Sequence, residues 1–214
     1  MFRKLCAASV ILGALLSVPG TASASPVWFD PHGTLPVEAT LTSTNTGNVK
    51  FTTSLGTIEC TSASTTSSVI TDSGTFILNK IITWFFRNSE TEGCTTSFLG
   101  TVTVTPKKLP WCFTAGGKLA ADTFEIRGGE CNGASSSLEV TLDSSVVGEC
   151  TYTKSVLSGT FTTGEGTTTL SVSGQEFVKS AGSGFCPGST KMDMLWDNYT
   201  DPKPHTATYR VYII

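Results

Sequence analysis

Cysteine placement constrains this chain more than any other feature. Of seven cysteines, Cys6 lies in an N-terminal apolar segment, leaving Cys60, Cys94, Cys112, Cys131, Cys150 and Cys186. An even set in a chain with an export signal reads as three disulfides. Metal ligation is the competing use of such thiols. It is not expected, because no Cys-x-x-Cys spacing occurs and the only histidines, His32 and His205, stand near opposite ends. Spacing alone leaves the pairing open, but an internal likeness narrows it. "GTIECTSAS" from Gly56 and "VGECTYTKS" from Val147 share Glu-Cys-Thr and run into Ser, Thr and Val. The next partner cysteine follows Cys60 by 34 residues and Cys150 by 36, with Phe86 and Phe177 eight or nine residues upstream of it. Self-similarity on this scale indicates a duplicated supersecondary unit, here about residues 49–106 and 137–199. The expected bridges are therefore Cys60–Cys94 and Cys150–Cys186 within halves, with Cys112–Cys131 bracing the connection. Phe86 and Phe177 are expected inside.

Residues 1–24 read as a signal peptide. Arg3 and Lys4 precede an apolar run from Leu5 to Val18, and Ala22-Ser23-Ala24 supplies the small residues of a cleavage site before Ser25. The run is shorter than the roughly 20 residues that span a bilayer. A lipoprotein cysteine would follow the run, whereas Cys6 begins it. Residues 25–214 then form one domain that is secreted, extracellular or associated with the cell surface, with no transmembrane anchor after cleavage. Loss of Arg3 and Lys4 takes the formal charge from −3 to −5. Nothing in that thin acidity resembles a nucleic-acid footprint.

Charged residues make up only 14% of the chain, and Thr and Ser fill the polar positions. Thr is β-branched and suits a pleated, half-buried surface. "VEATLTST" from Val37 and "VKFTTS" from Val49 alternate apolar and polar residues across the turn Asn45-Thr46-Gly47-Asn48. "TFILNKIITWFFRN" is the longest apolar stretch after the signal, and its Ile, Thr, Phe and Trp favour one strand, or two with a bend near Asn79-Lys80. Asp72-Ser73-Gly74 is read as the turn before it. "FLGTVTVTP", "TFEIRG", "SSLEVTL", "SSVVGECTYT", "VLSGTFTT", "TTTLSVS", "QEFVK", "KMDMLWDNY" and "TATYRVYII" continue as further strands. Their spacing predicts an all-β fold, an antiparallel β-sandwich or barrel-like sandwich with two related halves and three disulfides.

The "LPW" phrase at Leu109–Trp111 and the stretches "CTYTKSVLSGTFTTG" and "FCPGS" resemble a group of exported actinobacterial β-rich proteins. More remotely, the doubled Cys-strand-Cys plan is similar to the protein activator of alkane oxidation family. The resemblance implies export and an all-β fold, and it brings no catalytic residues with it.

The residues themselves offer little chemistry. There is no G-x-S-x-G elbow, and Asp30 with His32 lies in a Pro/Gly-rich segment read as an exposed turn. Asp193 and Asp197 in "KMDMLWDNY" share a strand face with Leu195, opposite Met192, Met194 and Trp196. Their spacing of about 13 Å exceeds the roughly 5–9.5 Å of glycosidase pairs. Glu125, Glu139 or Glu176 could supply a second acid across the sheet. Asn198-Tyr199-Thr200 matches a glycosylation sequon, which is not expected to be used in a bacterium. Trp28, Trp84, Trp111 and Trp196, with Tyr199 and Tyr209, are material for a stacking surface, although large aromatics are more often core than ligand platform. Trp84 lies in the most apolar run and is expected in the core, while Trp28 and Trp196 are the best candidates for exposure. With Asp193, Asp197 and Tyr199, they form the candidate binding surface for a glycan or cell-envelope component. No catalytic residue, metal or cofactor is expected. The leading expectation is a secreted, non-catalytic structural or binding protein, and the alternative is a hydrolase of polysaccharide or envelope material using carboxylates on a sheet face. A membrane β-barrel is set aside because Thr and Ser would occupy its lipid-facing positions.

Overall fold

Alternation of apolar and hydroxyl residues puts nearly every described segment into strands, and no described residue is helical. The computed structural model describes residues 28–213 apart from 32, 73–74, 89–92, 117–118, 120–121, 165–166 and 201–211. The signal segment, His32 and the turn centre at Ser73-Gly74 therefore lie outside the described residues. Strands β1 (Trp28–Asp30) and β2 (Gly33–Thr34) join the distant β17 (Tyr212–Ile213) in a small three-stranded sheet. The main sheet begins with β3 (Thr40–Asn45), β4 (Val49–Thr53), β5 (Gly56–Cys60), β6 (Ser62–Asp72) and β7 (Phe76–Arg87). It continues through β8 (Cys94–Thr96), β9 (Gly100–Lys107), β10 (Trp111–Gly116) and β11 (Thr123–Gly128). The last five members are β12 (Leu138–Ser144), β13 (Gly148–Lys154), β14 (Val156–Gly164), β15 (Thr167–Gly182) and β16 (Ser189–Thr200).

These 14 strands form one antiparallel sheet that closes on itself twice. One circuit runs β10-β11-β14-β15-β16-β3-β6-β7 and returns to β10. The other runs β15-β13-β12-β9-β8-β5-β4-β16 and returns to β15. The result is two eight-stranded barrels fused along β15 and β16, which are long enough, at 16 and 12 residues, to serve both. Phe86 of β7 opposite Val104 of β9 joins them a second time. Closure pairs the strand edges that an open sheet would expose.

A single apolar cluster runs through both barrels. In the first, the Trp84 ring lies 5.5 Å from Phe86 and from Trp111, and 6.1 Å from Trp196. Phe124 continues the array to Phe113 at 5.2 Å and Trp196 at 5.5 Å. Gly159, opposite Phe124 in register, makes room for that ring: a Cβ there would sit 2.3 Å from it. The second barrel is filled by Val49, Phe51, Ile58, Val102, Leu142 and Tyr152, with Phe51 edge-on to Phe86 at 5.4 Å. Phe86 and Phe177 are both buried, as their placement upstream of the cysteines predicts.

All three bridges form as expected, with Cα separations of 4.5 Å for Cys60–Cys94, 4.9 Å for Cys112–Cys131 and 5.6 Å for Cys150–Cys186. Cys60 and Cys150 each lie on the second strand of a hairpin, β4–β5 and β12–β13. In both cases one residue, Thr61 or Ser155, separates that strand from a longer hairpin, β6–β7 or β14–β15.

Two boundaries differ from the sequence reading. The segment "SSVVGECTYT" is not one strand, because Ser145–Val147 form a hairpin turn before β13. "TTTLSVS" and "QEFVK" merge into β15 across an irregularity at Val172/Gln175, where Gly174 takes φ 57°. The stretch "TFILNKIITWFFRN" forms the single strand β7, the first of its two readings, and slips register at Ile82, so the buried positions change from Ile77, Asn79 and Ile81 to Trp84 and Phe86. A bulge costs one residue and shifts the face presented by everything after it.

Candidate functional site

β15 changes partner midway along its length. Up to Ser171 it is paired with β14 and from Val178 with β13, so the wall forks between them. An open groove of about 520 Å³ lies at this fork on the outer face. Its walls are Thr123 and Glu125 of β11, Ser158 and Thr160 of β14, and Ser171, Ser173 and Gln175 of β15, with Leu119 from the preceding loop. The register Thr123–Thr160–Ser171 sets three hydroxyls in one row across three strands.

Side chains meet backbone groups beside the fork. Gln175 Oε1 accepts from Ser158 N at 3.3 Å, and Lys154 Nζ donates to the Glu176 carbonyl at 3.1 Å. Asp193 Oδ1 accepts from Gly174 N at 2.7 Å and from Ser173 Oγ at 3.1 Å. Glu125, the one carboxylate among the described residues of the groove wall, accepts from Arg127 Nη2 at 2.7 Å and Nε at 3.2 Å. Among the described residues the lining thus combines neutral hydroxyls and an amide with the apolar Leu119 and Phe124. Such a surface holds a ligand through hydrogen bonds rather than through net charge.

The structure places the expected site residues in three different situations. Asp193 and Asp197 are half-buried on the outer face beside Leu195, while Met192, Met194 and Trp196 turn inward, as the period of two requires. Both acids brace the next strand, Asp197 by accepting from Thr169 Oγ1 at 2.9 Å. Trp28 and Trp196 are corrections: they are only 1% and 4% exposed and belong to the core. Trp196 shares the inward face of β16 and packs on Trp84 and Phe124. Trp28 packs against Phe113 with ring centroids 6.2 Å apart. With the Asn79 amide oriented to satisfy both its partners, Asn79 Oδ1 accepts from Trp28 Nε1 at 3.1 Å. Tyr199 pairs with Thr42 in the β16–β3 ladder, but its ring, like the Asn198 side chain, lies outside the described residues. Of the acids offered as second partners, Glu125 is held by Arg127 and Glu139 by Lys108 at 2.6 Å.

Ser158, Ser173 and Gln175 escaped the sequence reading as site residues. The one local signal was Gly174 inside an alternating pattern, which marks a bulge, and nothing in one dimension says that two other strands part company beside it. Among the described residues the barrel interiors hold small cavities. The first holds a cavity of about 20 Å³ among Ser43, Thr65, Ser67, Asn79 and the indole rings, room for about one water. The second holds about 10 Å³ beside Tyr152. Burial raises the Tyr152 hydroxyl pKa to about 12, and that hydroxyl and Trp84 Nε1 are buried without a protein partner.

No protein-family model, curated protein or solved structure matches this chain.

Proposed function

We propose that this chain is an exported, non-catalytic binding protein that acts at or near the cell surface. In this reading the groove at the β15 fork takes a neutral polar chain, such as a glycan segment or another hydroxyl-rich envelope component. The observation that carries it is the described lining: a row of Ser and Thr hydroxyls and one glutamine amide beside the apolar Leu119 and Phe124, with Glu125 already paired to Arg127. Three disulfides suit an oxidising, extracellular setting. No described helix is long and apolar enough to cross a membrane. Export itself rests on the N-terminal segment, and the likeness of the "LPW" and "FCPGS" phrases to exported actinobacterial proteins agrees with it.

The test is a screen of the purified protein against immobilised glycans and envelope fractions, repeated with Ser158→Trp and Ser173→Trp, which fill the groove from its exposed wall. Binding of an uncharged polysaccharide by the native protein, weakened roughly tenfold or more by either variant (about 1.4 kcal/mol), is the expected result. Absence of binding, or binding that both folded variants retain, would overturn the reading. Release of reducing ends from any bound polysaccharide would favour the hydrolase instead.

A further inference from the structure

We propose that Cys112–Cys131 is a thiol–disulfide exchange site, a bridge that an external thiol opens at Cys131 while the other two bridges stay closed. The three bridges differ first in access. Cys60, Cys94 and Cys150 are at most 1% exposed, and Cys186 is 7% exposed. Cys112 is buried as well, but its partner Cys131 is only half-buried. Cys131 stands between exposed Glu130 and Asn132, at the start of a segment whose residues 132–137 are all exposed. Exchange needs a sulfur that a thiolate can reach, and Cys131 is the one bridged cysteine that is not buried.

The surroundings of Cys112 make it the leaving sulfur. Trp111 and Phe113 pack into the first barrel, so Cys112 between them faces outward. Both neighbouring strands set a cation opposite it: Lys80 of β7 and Arg127 of β11 are its register partners. Lys80 lies between buried Asn79 and Ile81, and Arg127 between buried Ile126 and Gly128, so both cations share the outer face with Cys112. Directly opposite positions stand about 4.5–5.5 Å apart at Cβ. Each cation also pairs with an acid, Lys80 with Glu130 at 2.9 Å and Arg127 with Glu125 at 2.7 Å. Glu125 is opposite Thr114, one diagonal step further from Cys112 than Arg127. A thiolate at Cys112 is therefore met by positive charge on both sides, which favours its departure. In the reaction, the incoming thiolate attacks Cys131 Sγ, the bond to Cys112 breaks, and Cys112 leaves as thiolate. With a dithiol, the second sulfur then displaces Cys131 from the mixed disulfide. The dithiol ends as a disulfide, and its two protons and two electrons end on Cys112 and Cys131. The Asn79 carbonyl, 3.4 Å from Cys131 Sγ, can accept from the thiol so formed.

Opening this bridge breaks no ladder. β10 stays paired on both sides, with β7 and with β11. The segment that carries Cys131 is also fastened without it. Gly128 N donates to the Ser136 carbonyl at 3.1 Å and Ser136 N to the Gly128 carbonyl at 2.9 Å. Gly129 N donates to the Pro110 carbonyl at 3.1 Å, and Lys80 Nζ reaches both Glu130 carboxylate oxygens, at 2.9 and 3.0 Å. The two reduced sulfurs thus stay close to each other, and the bridge recloses as an intramolecular step.

The test is partial reduction of the folded protein without denaturant, followed by alkylation and peptide mapping. Dithiothreitol serves in one arm and reduced thioredoxin, a protein dithiol, in the other. Cys112 and Cys131 should be alkylated at least roughly tenfold faster than the other four cysteines, with circular dichroism unchanged. Opening by dithiothreitol alone would assign the site to low-molecular-weight thiols, and opening in both arms would extend it to protein dithiols. With glutathione, a monothiol, the mixed disulfide should map to Cys131. Arg127→Gln, which removes one of the two flanking charges, should slow opening roughly threefold. Resistance of all three bridges, earlier opening of Cys60–Cys94 or Cys150–Cys186, or loss of the fold on opening would overturn the proposal. So would a mixed disulfide on Cys112 or a native opening rate in Arg127→Gln. These readouts follow sulfur alone and hold whether or not the fork groove binds a glycan.

Discussion

The two barrels share a wall, yet they are consolidated by different means. The first contains all four tryptophans, Trp28, Trp84, Trp111 and Trp196, each nearly or fully buried. Its one bridge, Cys112–Cys131, ties β10 to the segment just after β11. The second barrel has no tryptophan and is crossed by Cys60–Cys94 and Cys150–Cys186. The contrast follows strand length. β5 has five residues and β8 three, and they touch in the ladder only at Glu59 and Thr95. So short a pair buries little apolar area, and the covalent link between Cys60 and Cys94 supplies what packing there does not. The long strands β6 and β7, with 11 and 12 residues, support a continuous array of large rings. Where a barrel wall can bury rings it needs fewer cross-links, and where its strands are clipped it needs more.

The largest expected effect tests the aromatic side of that contrast. Trp84→Ala removes a ring in contact with three others and should cost about 3–5 kcal/mol, read as a lower urea midpoint. A loss below about 1 kcal/mol would mean that the array is not what consolidates the first barrel. Next come the bridges. Opening Cys60–Cys94 or Cys150–Cys186 by paired serine substitution frees loops of 34 and 36 residues, about 4 kcal/mol each on chain entropy. Opening Cys112–Cys131, separated by 19 residues, should cost about 3 kcal/mol. Reversal of that order in chemical denaturation would break the comparison. Because one apolar cluster runs through both barrels, each of these changes should move a single cooperative transition rather than split it.

A smaller effect sharpens the comparison at alkaline pH. Tyr152 in the second barrel has its pKa raised by burial from 10.0 to about 12. The folded state thus holds its proton more tightly than the unfolded state. That stability is complete below pH 10 and is lost as pH rises toward 12, an amount on the order of 2 kcal/mol. Tyr152→Phe should flatten the fall in stability across that window and, having removed a buried hydroxyl without a partner, should be no less stable at pH 7. Unfolding curves at several pH values check both points. An unchanged slope would assign the alkaline loss to other groups.

Much of the strand content was legible in one dimension because a half-buried strand writes its two faces in alternate letters. Met192, Met194 and Trp196 against Asp193, Leu195 and Asp197 illustrate this directly. The same pattern says which side a residue takes but not what that side meets. Trp196 could therefore be placed on the correct face with Met192 and Met194 and still be taken for a surface ring. Trp28 failed for a related reason, since a tryptophan ahead of the first long strand carries no sign that a barrel waits to receive it.

The sequence by itself determined the class of fold, the inward positions along β16 and the three disulfide partners, because period and repeated spacing are local or nearly local properties. Only the tertiary structure decided that "TTTLSVS" and "QEFVK" are one strand shared by two barrels, and that Ser158, Ser173 and Gln175 meet where that strand changes neighbours. It alone set Lys80 and Arg127 on either side of Cys112. Those facts depend on which strand pairs with which across tens to more than a hundred residues. Ladder hydrogen bonds join backbones that are the same in every residue but proline, so the choice of partner is fixed by global closure and shared burial rather than by any single stretch of letters.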